Sequence, residues 1–189
     1  MASNFGKTIQ VSTFGASHGY AIGGIVEGLP CGHTIDIDEL QAFLKRRAPG
    51  QNQLQTQRKE ADIPEFLSGM VDGMLSGSPL AFMIRNTSQH SGDYNNLRDI
   101  PRPSHADFTA RMRYGDKVDM RGGGHFSARL TAPLCVAGGI ALQLLREKGI
   151  EIHGHLKQVG TIQDTPIDMV HPDIQALAHI STEPIAMVD

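Results

Sequence analysis

Apolar residues fall at strand-like spacing over Ile9–Phe14 and again over Ile22–Val26, on either side of the glycine-containing stretch Gly15–Gly19. That pattern predicts two short strands joined by a turn. Asp36 followed by Glu39, just ahead of Leu40, Phe43 and Leu44, is a capping box. It predicts a short helix that runs into the basic residues Lys45, Arg46 and Arg47. Phe66–Leu75 and Leu80–Ile84 predict a β-hairpin turned at Ser76-Gly77-Ser78-Pro79. Residues 86–125 are polar, rich in glycine and arginine, and lack periodicity. A stretch of that length inside a domain predicts a functional loop. Ser127–Lys148 is the clearest helix: Leu130, Leu134, Cys135, Val136, Ala137, Ile140, Ala141, Leu144 and Leu145 cover most of its circumference. A helix apolar nearly all round is expected to be buried between layers on two sides, and Pro133 lies in its first two turns, where a missing N–H is least costly. Ile150–Ile162 returns as a strand interrupted at Gly154, and His171–Asp189 opens a short helix at Pro172 and then stops mid-pattern. The expectation is a chain cut before a natural domain end.

Composition narrows the class. A chain of 189 residues, 40% hydrophobic and with 21 glycines, has the core-forming content of a globular domain. A disordered tail, a collagen-like repeat and a disulfide mini-protein are excluded. Cys31 and Cys135 match no metal-ligand spacing, and His153-x-His155 has no third ligand near it, so no metal site is expected. The first residues contain no apolar leader core, and no uninterrupted apolar stretch has membrane-spanning length. A reduced, cytoplasmic protein without membrane contact is expected.

Charge is segmented. The net charge is −3. Residues 45–59 nevertheless carry Lys45, Arg46, Arg47, Arg58 and Lys59 with no acid, and residues 98–129 hold seven basic against four acidic side chains. Two concentrated basic blocks on a weakly acidic chain suit a compact anion better than a nucleic acid.

Three clusters carry candidate chemistry. His18 sits on the Gly15–Gly19 turn, where an imidazole can reach a ligand and exchange a proton near neutral pH. Gly15-Ala16-Ser17-His18-Gly19 formally fits a nucleophile elbow, but a strand follows instead of the required helix, which argues against a serine hydrolase. Arg102, His105 and Asp107 place a guanidinium, an imidazole and a carboxylate within six residues. In an extended segment Asp107 would lie on the side of His105 and orient its ring or raise its pKa. Arg121-Gly122-Gly123-Gly124-His125-Phe126-Ser127-Ala128-Arg129 opens the long helix, where free N–H groups favour an anion. Arg129 opposes the helix dipole there, which points to ligand binding rather than folding.

Together with Arg46-Arg47-Ala48-Pro49-Gly50, these clusters resemble chorismate synthase, in the same order along the chain. The resemblance rests on Gly15–Gly19, Ile25–Pro30, Arg46–Gly50, Arg58–Asp62, Leu67–Gly69, Ile84–Thr87, Asp93-Tyr94, Arg102–Asp107 and Arg121–Ala132. It implies an FMN-dependent lyase of the shikimate pathway to aromatic amino acids. Such an enzyme removes phosphate from 5-enolpyruvylshikimate 3-phosphate by 1,4-anti elimination to give chorismate. It further implies an α+β fold: a β-α-β sandwich of antiparallel sheets with buried central helices, assembled as a homotetramer.

By the same resemblance, His18 donates a proton to the leaving phosphate and His105 protonates or stabilises reduced FMN. Arg47, Arg102 and Arg129 bind substrate phosphate and carboxylates, and His125, Phe126 and Ser127 contact FMN. Arg47 also matches a position assigned to NADP in members that reduce their own flavin. Gln53 stands where those members have a partner arginine, which argues against NADPH-dependent flavin reduction here. Ala16 replaces the family's glutamate beside His18, and Ser104 a glycine beside His105. Family chains are roughly twice as long, so residues 1–189 are expected to be the N-terminal portion of one chorismate synthase domain, inactive unless complemented. The alternative is a non-catalytic flavin- or anion-binding fragment, or one half of a split enzyme.

Overall fold

A computed structural model of the chain describes residues 3–48, 60–87, 100–180, 183 and 185–188. The backbone forms two compact units, Met1–Leu144 and Leu145–Asp189. In the first unit, strands β1 (Asn4–Gly6), β2 (Gln10–Gly15), β3 (Ala21–Glu27), β7 (Leu80–Arg85) and β4 (Glu65–Ser68) form one antiparallel sheet in that spatial order. Both strands predicted around the Gly15–Gly19 turn are present. Their register pairs Val11 with Val26, Val26 with Leu80, and Ile22 with Ile84, so these side chains share one face. Helices α1 (Ile37–Arg47) and α3 (Thr131–Arg146) supply Leu40, Leu44, Val136, Ile140 and Leu144 to the same apolar cluster. Full burial of each such side chain stabilises the fold by about 1.5–3 kcal/mol.

The predicted cap of α1 is half of a capping box. Asp36 Oδ1 accepts from the Glu39 N–H at 2.8 Å. The Asp36 N–H donates to Gln143 Oε1 at 2.9 Å, and Gln143 Nε2 donates back to the Asp36 carbonyl at 2.9 Å. The start of α1 is thereby tied to α3.

Other elements differ from the sequence pattern. The hairpin over residues 66–84 is β4 against β7, with a bulge between Phe66 and Ser68. A separate two-residue ribbon, β5 (Met70–Val71) with β6 (Met74–Leu75), is inserted before the return strand. The polar stretch 86–125 contains helix α2 (Asp107–Tyr114), which buries only Asp107 and Ala110 and so leaves no apolar period to read. Helix α3 begins at Thr131, after 3₁₀ turns over Arg121–Phe126 and Ala128–Leu130. The α3 side chains Ala132, Pro133, Val136, Ile140 and Leu144 are buried, whereas Leu134 is 38% exposed. One face of α3 is therefore covered in full and the other only in part. By length and hydropathy the run Arg121–Arg146 could cross a bilayer, but half of its apolar window is buried inside the molecule, as in a core helix.

In the second unit, the strand expected over Ile150–Ile162 is reduced to the ribbon β8 (Gln158–Val159) and β9 (Ile162–Gln163). The short helix near Pro172 is present as α4 (Ile174–Ile180), whose first N–H groups are capped by Asp173 Oδ1 at 3.0 Å. The observed class is α+β with antiparallel sheets, as expected.

Candidate functional site

The turn between β2 and β3 carries Ser17 and His18, both buried. It docks against the glycine turn that precedes α3: the Ser17 N–H donates to the Gly124 carbonyl at 3.1 Å. Gly122, Gly123 and Gly124 all have positive φ, and Gly124 combines φ 56° with ψ −130°, a conformation essentially closed to other residues. Space adds a second demand. A Cβ on Gly122 would lie 2.1 Å from the His18 ring, and one on Gly124 1.9 Å from the Asp119 carbonyl oxygen. Gly122 leaves the room in which the His18 ring seats, and Gly123 and Gly124 give the turn its shape.

Hydrogen bonding sets the His18 tautomer. The Ser17 hydroxyl lies 3.1 Å from the Arg121 carbonyl, 3.0 Å from the Gly122 carbonyl and 3.2 Å from His18 Nδ1. Its single proton goes to a carbonyl, which has no proton to offer, so Ser17 Oγ accepts from Nδ1–H. Ser17, set aside as a nucleophile on sequence grounds, is an orienting group. The same turn is held from the far side by Asn86, whose Nδ2 donates to the carbonyls of Ala16 at 3.1 Å and Gly19 at 2.8 Å.

Asn86 also links the turn to the arginines. Its Oδ1 accepts from Arg129 Nε at 3.2 Å. Arg129, 6% exposed, pairs through Nη1 with Asp62, and its Nη2 lies 3.8 Å from Glu60 Oε2. Asp62 also receives Nη1 of Arg47, whose Nε donates to Thr131 Oγ1 at 3.1 Å. Arg129 and Arg47 are therefore joined by hydrogen bonds through Asp62, and Asn86 ties Arg129 to the backbone of the turn that carries His18. Asp62, Asn86 and Glu60 were given no role on sequence grounds. Their signal was membership of the segments Arg58–Asp62 and Ile84–Thr87, on which the resemblance rests.

Arg102 and His105 occupy the loop before α2. Asp107 does not orient His105, because the chain turns into α2 rather than running extended. Asp107 instead makes a bidentate pair with Arg102, Nε to Oδ2 at 2.7 Å and Nη2 to Oδ1 at 2.9 Å. Those Arg102 side-chain hydrogen bonds, against the opposing effect of burial, hold the Asp107 carboxyl below its usual range. His105 is exposed, and its Nδ1 donates to the Pro103 carbonyl at 2.9 Å. Arg102 Nη2 reaches the Met120 carbonyl at 3.4 Å, just ahead of the glycine turn. Next along that turn, Asp119 pairs with Arg121, and its carboxyl is lowered first by that partner and in smaller part by the charge of His18.

Both nitrogens of His125 are engaged. Nδ1 must donate to the Gly15 carbonyl at 2.8 Å, so Nε2 accepts from the Ser3 hydroxyl at 2.7 Å. Ser127 Oγ accepts the Arg129 N–H at 3.2 Å and so caps the following turn. Phe126 lines an open cleft of about 360 Å³ with Phe108, Met112, Arg113 and Tyr114, and its ring centroid is 6.1 Å from that of Tyr114. A cleft walled by aromatic side chains and rimmed by a cation suits a planar, anionic ring system.

His153 contacts Glu151 at 3.1 Å and His155 contacts Asp164 at 3.3 Å. Among the described residues no three His, Cys, Asp or Glu side chains gather as metal ligands do. Pro49, Gly50, Gln53, Arg58, Lys59, Asp93 and Tyr94 lie outside the described residues.

Residues 9–187 match the family described as chorismate synthase. A chorismate synthase of Lancefieldella parvula is 48% identical over 177 residues, which are 93% of this chain and 46% of that protein. One of Bacteroides thetaiotaomicron is 48% identical over 163 residues, 86% of this chain and 45% of that protein. A crystal structure of chorismate synthase superposes with a TM-score of 0.67 at 23% identity, over 96% of this chain and 48% of that one, a likeness of fold. The chain spans about half the length of the curated relatives it matches.

Proposed function

The chain belongs to the chorismate synthase family, and from that premise we propose that it carries the phosphate-releasing part of a chorismate synthase site. The reaction is the 1,4-anti elimination of phosphate from 5-enolpyruvylshikimate 3-phosphate, a carbon–oxygen lyase step of aromatic amino acid biosynthesis in the cytoplasm. The observation that carries this reading is the seating of His18. Its ring is fixed by Ser17 and walled by Gly122, and the turn that carries it is tied through Asn86 to the buried Arg129.

In this reading His18 delivers the proton on Nε2 to the departing phosphate, an effect typically contributing about 10²–10⁴ in rate. Arg47, Arg102 and Arg129 serve the substrate's phosphate and carboxylates, where fixed guanidiniums oppose the charge that accumulates on the leaving group. All three are held by buried carboxylates, but Arg47 and Arg102 keep 21% and 17% of their side chains exposed against 5% for Arg129, so those two meet the anion first.

The residues present fit a flavin. The aromatic cleft beside Phe126 accepts a planar ring, Ser127 keeps a hydroxyl proton to donate, and His125 fixes the segment through Gly15 and Ser3. Reduced FMN, when bound, serves the elimination without net redox change. His105, with Nδ1 on Pro103, offers Nε2 for proton exchange with the flavin. NADPH-dependent reduction of that flavin is no part of the proposal, and the assembly proposed is a homotetramer.

The test is an anaerobic assay of the natural gene product with 5-enolpyruvylshikimate 3-phosphate and reduced FMN. Chorismate and phosphate are expected in equal amounts, and neither without the reduced flavin. Binding of substrate and flavin with no chorismate formed would overturn the enzymatic reading in favour of a binding module or split half.

A further inference from the structure

Asp62 is 2% exposed and has φ 49°, a left-handed conformation that a non-glycine residue adopts at a cost. A buried carboxylate also needs full compensation by partners. Both demands are met by two guanidiniums. Oδ2 receives Nη1 of Arg47 from the end of α1, and Oδ1 receives Nη1 of Arg129 from the turn before α3. Each arginine is fixed a second time, Arg47 by Thr131 Oγ1 at 3.1 Å and Arg129 by Asn86 Oδ1 at 3.2 Å. Arg129 Nη2 is buried and makes no hydrogen bond among the described residues. Glu60, 3.8 Å from that nitrogen, is itself held by the Thr87 N–H at 3.2 Å and hydroxyl at 2.9 Å.

We propose that Asp62 is a positioning residue that sets Arg47 and Arg129 as one preorganised pair for a phosphate or carboxylate group of the substrate. The inference rests on the reading above, in which those arginines serve the anion. A guanidinium recognises such a group in its own plane, through parallel N–H donors. Fixing that plane beforehand removes the ordering cost from the binding step. Asp62 does this for two arginines at once, at the expense of one unit of the positive charge they carry.

That trade makes the proposal testable against a simpler role. If Asp62 only neutralised charge, Asp62→Asn would free the arginines and tighten anion binding; if it positions them, the same change weakens binding. The experiment is calorimetric titration of the protein with inorganic phosphate. Asp62→Asn is expected to weaken phosphate at least tenfold. Because that variant leaves Arg129 buried with one partner fewer, it can fail to fold. Thr131→Val is therefore measured beside it: Thr131 is exposed, and its hydroxyl is the second fixture of Arg47. Thr131→Val is expected to weaken phosphate severalfold with an unchanged melting temperature, and Thr131→Ser to restore it. Phosphate binding that is unchanged or tighter in folded Asp62→Asn, or unchanged in Thr131→Val, overturns the positioning role alone. No binding by the unsubstituted protein overturns the anion-site reading with it.

Discussion

Ser104 sits at φ 61°, one residue before His105, where the family's glycine would adopt the same conformation freely. A left-handed non-glycine residue costs roughly 1–2 kcal/mol. Ser104→Gly is therefore expected to leave stability unchanged or raise it by up to about 1–2 kcal/mol, whereas β-branched Ser104→Val lowers it, both read from denaturant unfolding. Beside it, the Arg102–Asp107 pair makes stability depend on acid. The Asp107 carboxyl is held below its ordinary 3.8 in the folded protein. Its contribution is thus complete above that value and is lost as the pH falls through the lower folded one. Melting curves between about pH 2 and 5 should show a shallower acid limb in Asp107→Asn than in the unsubstituted protein. Residue chemistry was only partly legible beforehand. His18, His105 and the arginines stand out in the sequence as single residues, but their partners do not. The pairing of Asp107 with Arg102 rather than His105 depends on α2 starting at Asp107, and the role of Asp62 depends on two elements distant in sequence meeting at one carboxylate.

At the scale of elements, helix α1 is opened by Asp36, whose side chain caps Glu39 N and whose backbone N–H and carbonyl both bond the Gln143 side-chain amide. Asp36→Ala removes the cap and is expected to destabilise the protein by about 1 kcal/mol, measurable as a fall in the urea midpoint. Because the cap is local, the arginine at the far end of α1 should keep its phosphate affinity. The elements that were legible have a strong local signal: alternation in β2 and β3, a cap ahead of α1, and a nearly continuous apolar surface on α3. Those that were not legible lack one. Helix α2 is amphipathic only to the extent of Ala110 and Asp107, and the β5–β6 ribbon consists of two residue pairs. Over Ile150–Ile162 the isoleucines and valine suggested a strand, but strands need partners. Among the described residues of that stretch only the Gln158–Val159 and Ile162–Gln163 pairs find one.

For the molecule as a whole, family membership was legible from the order of motifs, because nine short segments in one order along the chain are far more specific than any of them alone. The α+β class followed from the same resemblance, and the antiparallel five-stranded sheet bears it out. What covers the exposed part of α3 was not legible in the sequence, which gives the helix an apolar surface without naming its neighbours. The role proposed for the seated His18 is delivery of a proton to a departing phosphate. The most direct measurement is steady-state chorismate formation by the natural gene product, anaerobically with reduced FMN, comparing His18→Asn with the unsubstituted protein. The kcat is expected to fall about 10²-fold or more, with the Kd for 5-enolpyruvylshikimate 3-phosphate changed far less. An unchanged kcat in a folded His18→Asn protein, or no chorismate from the unsubstituted one, would contradict that role.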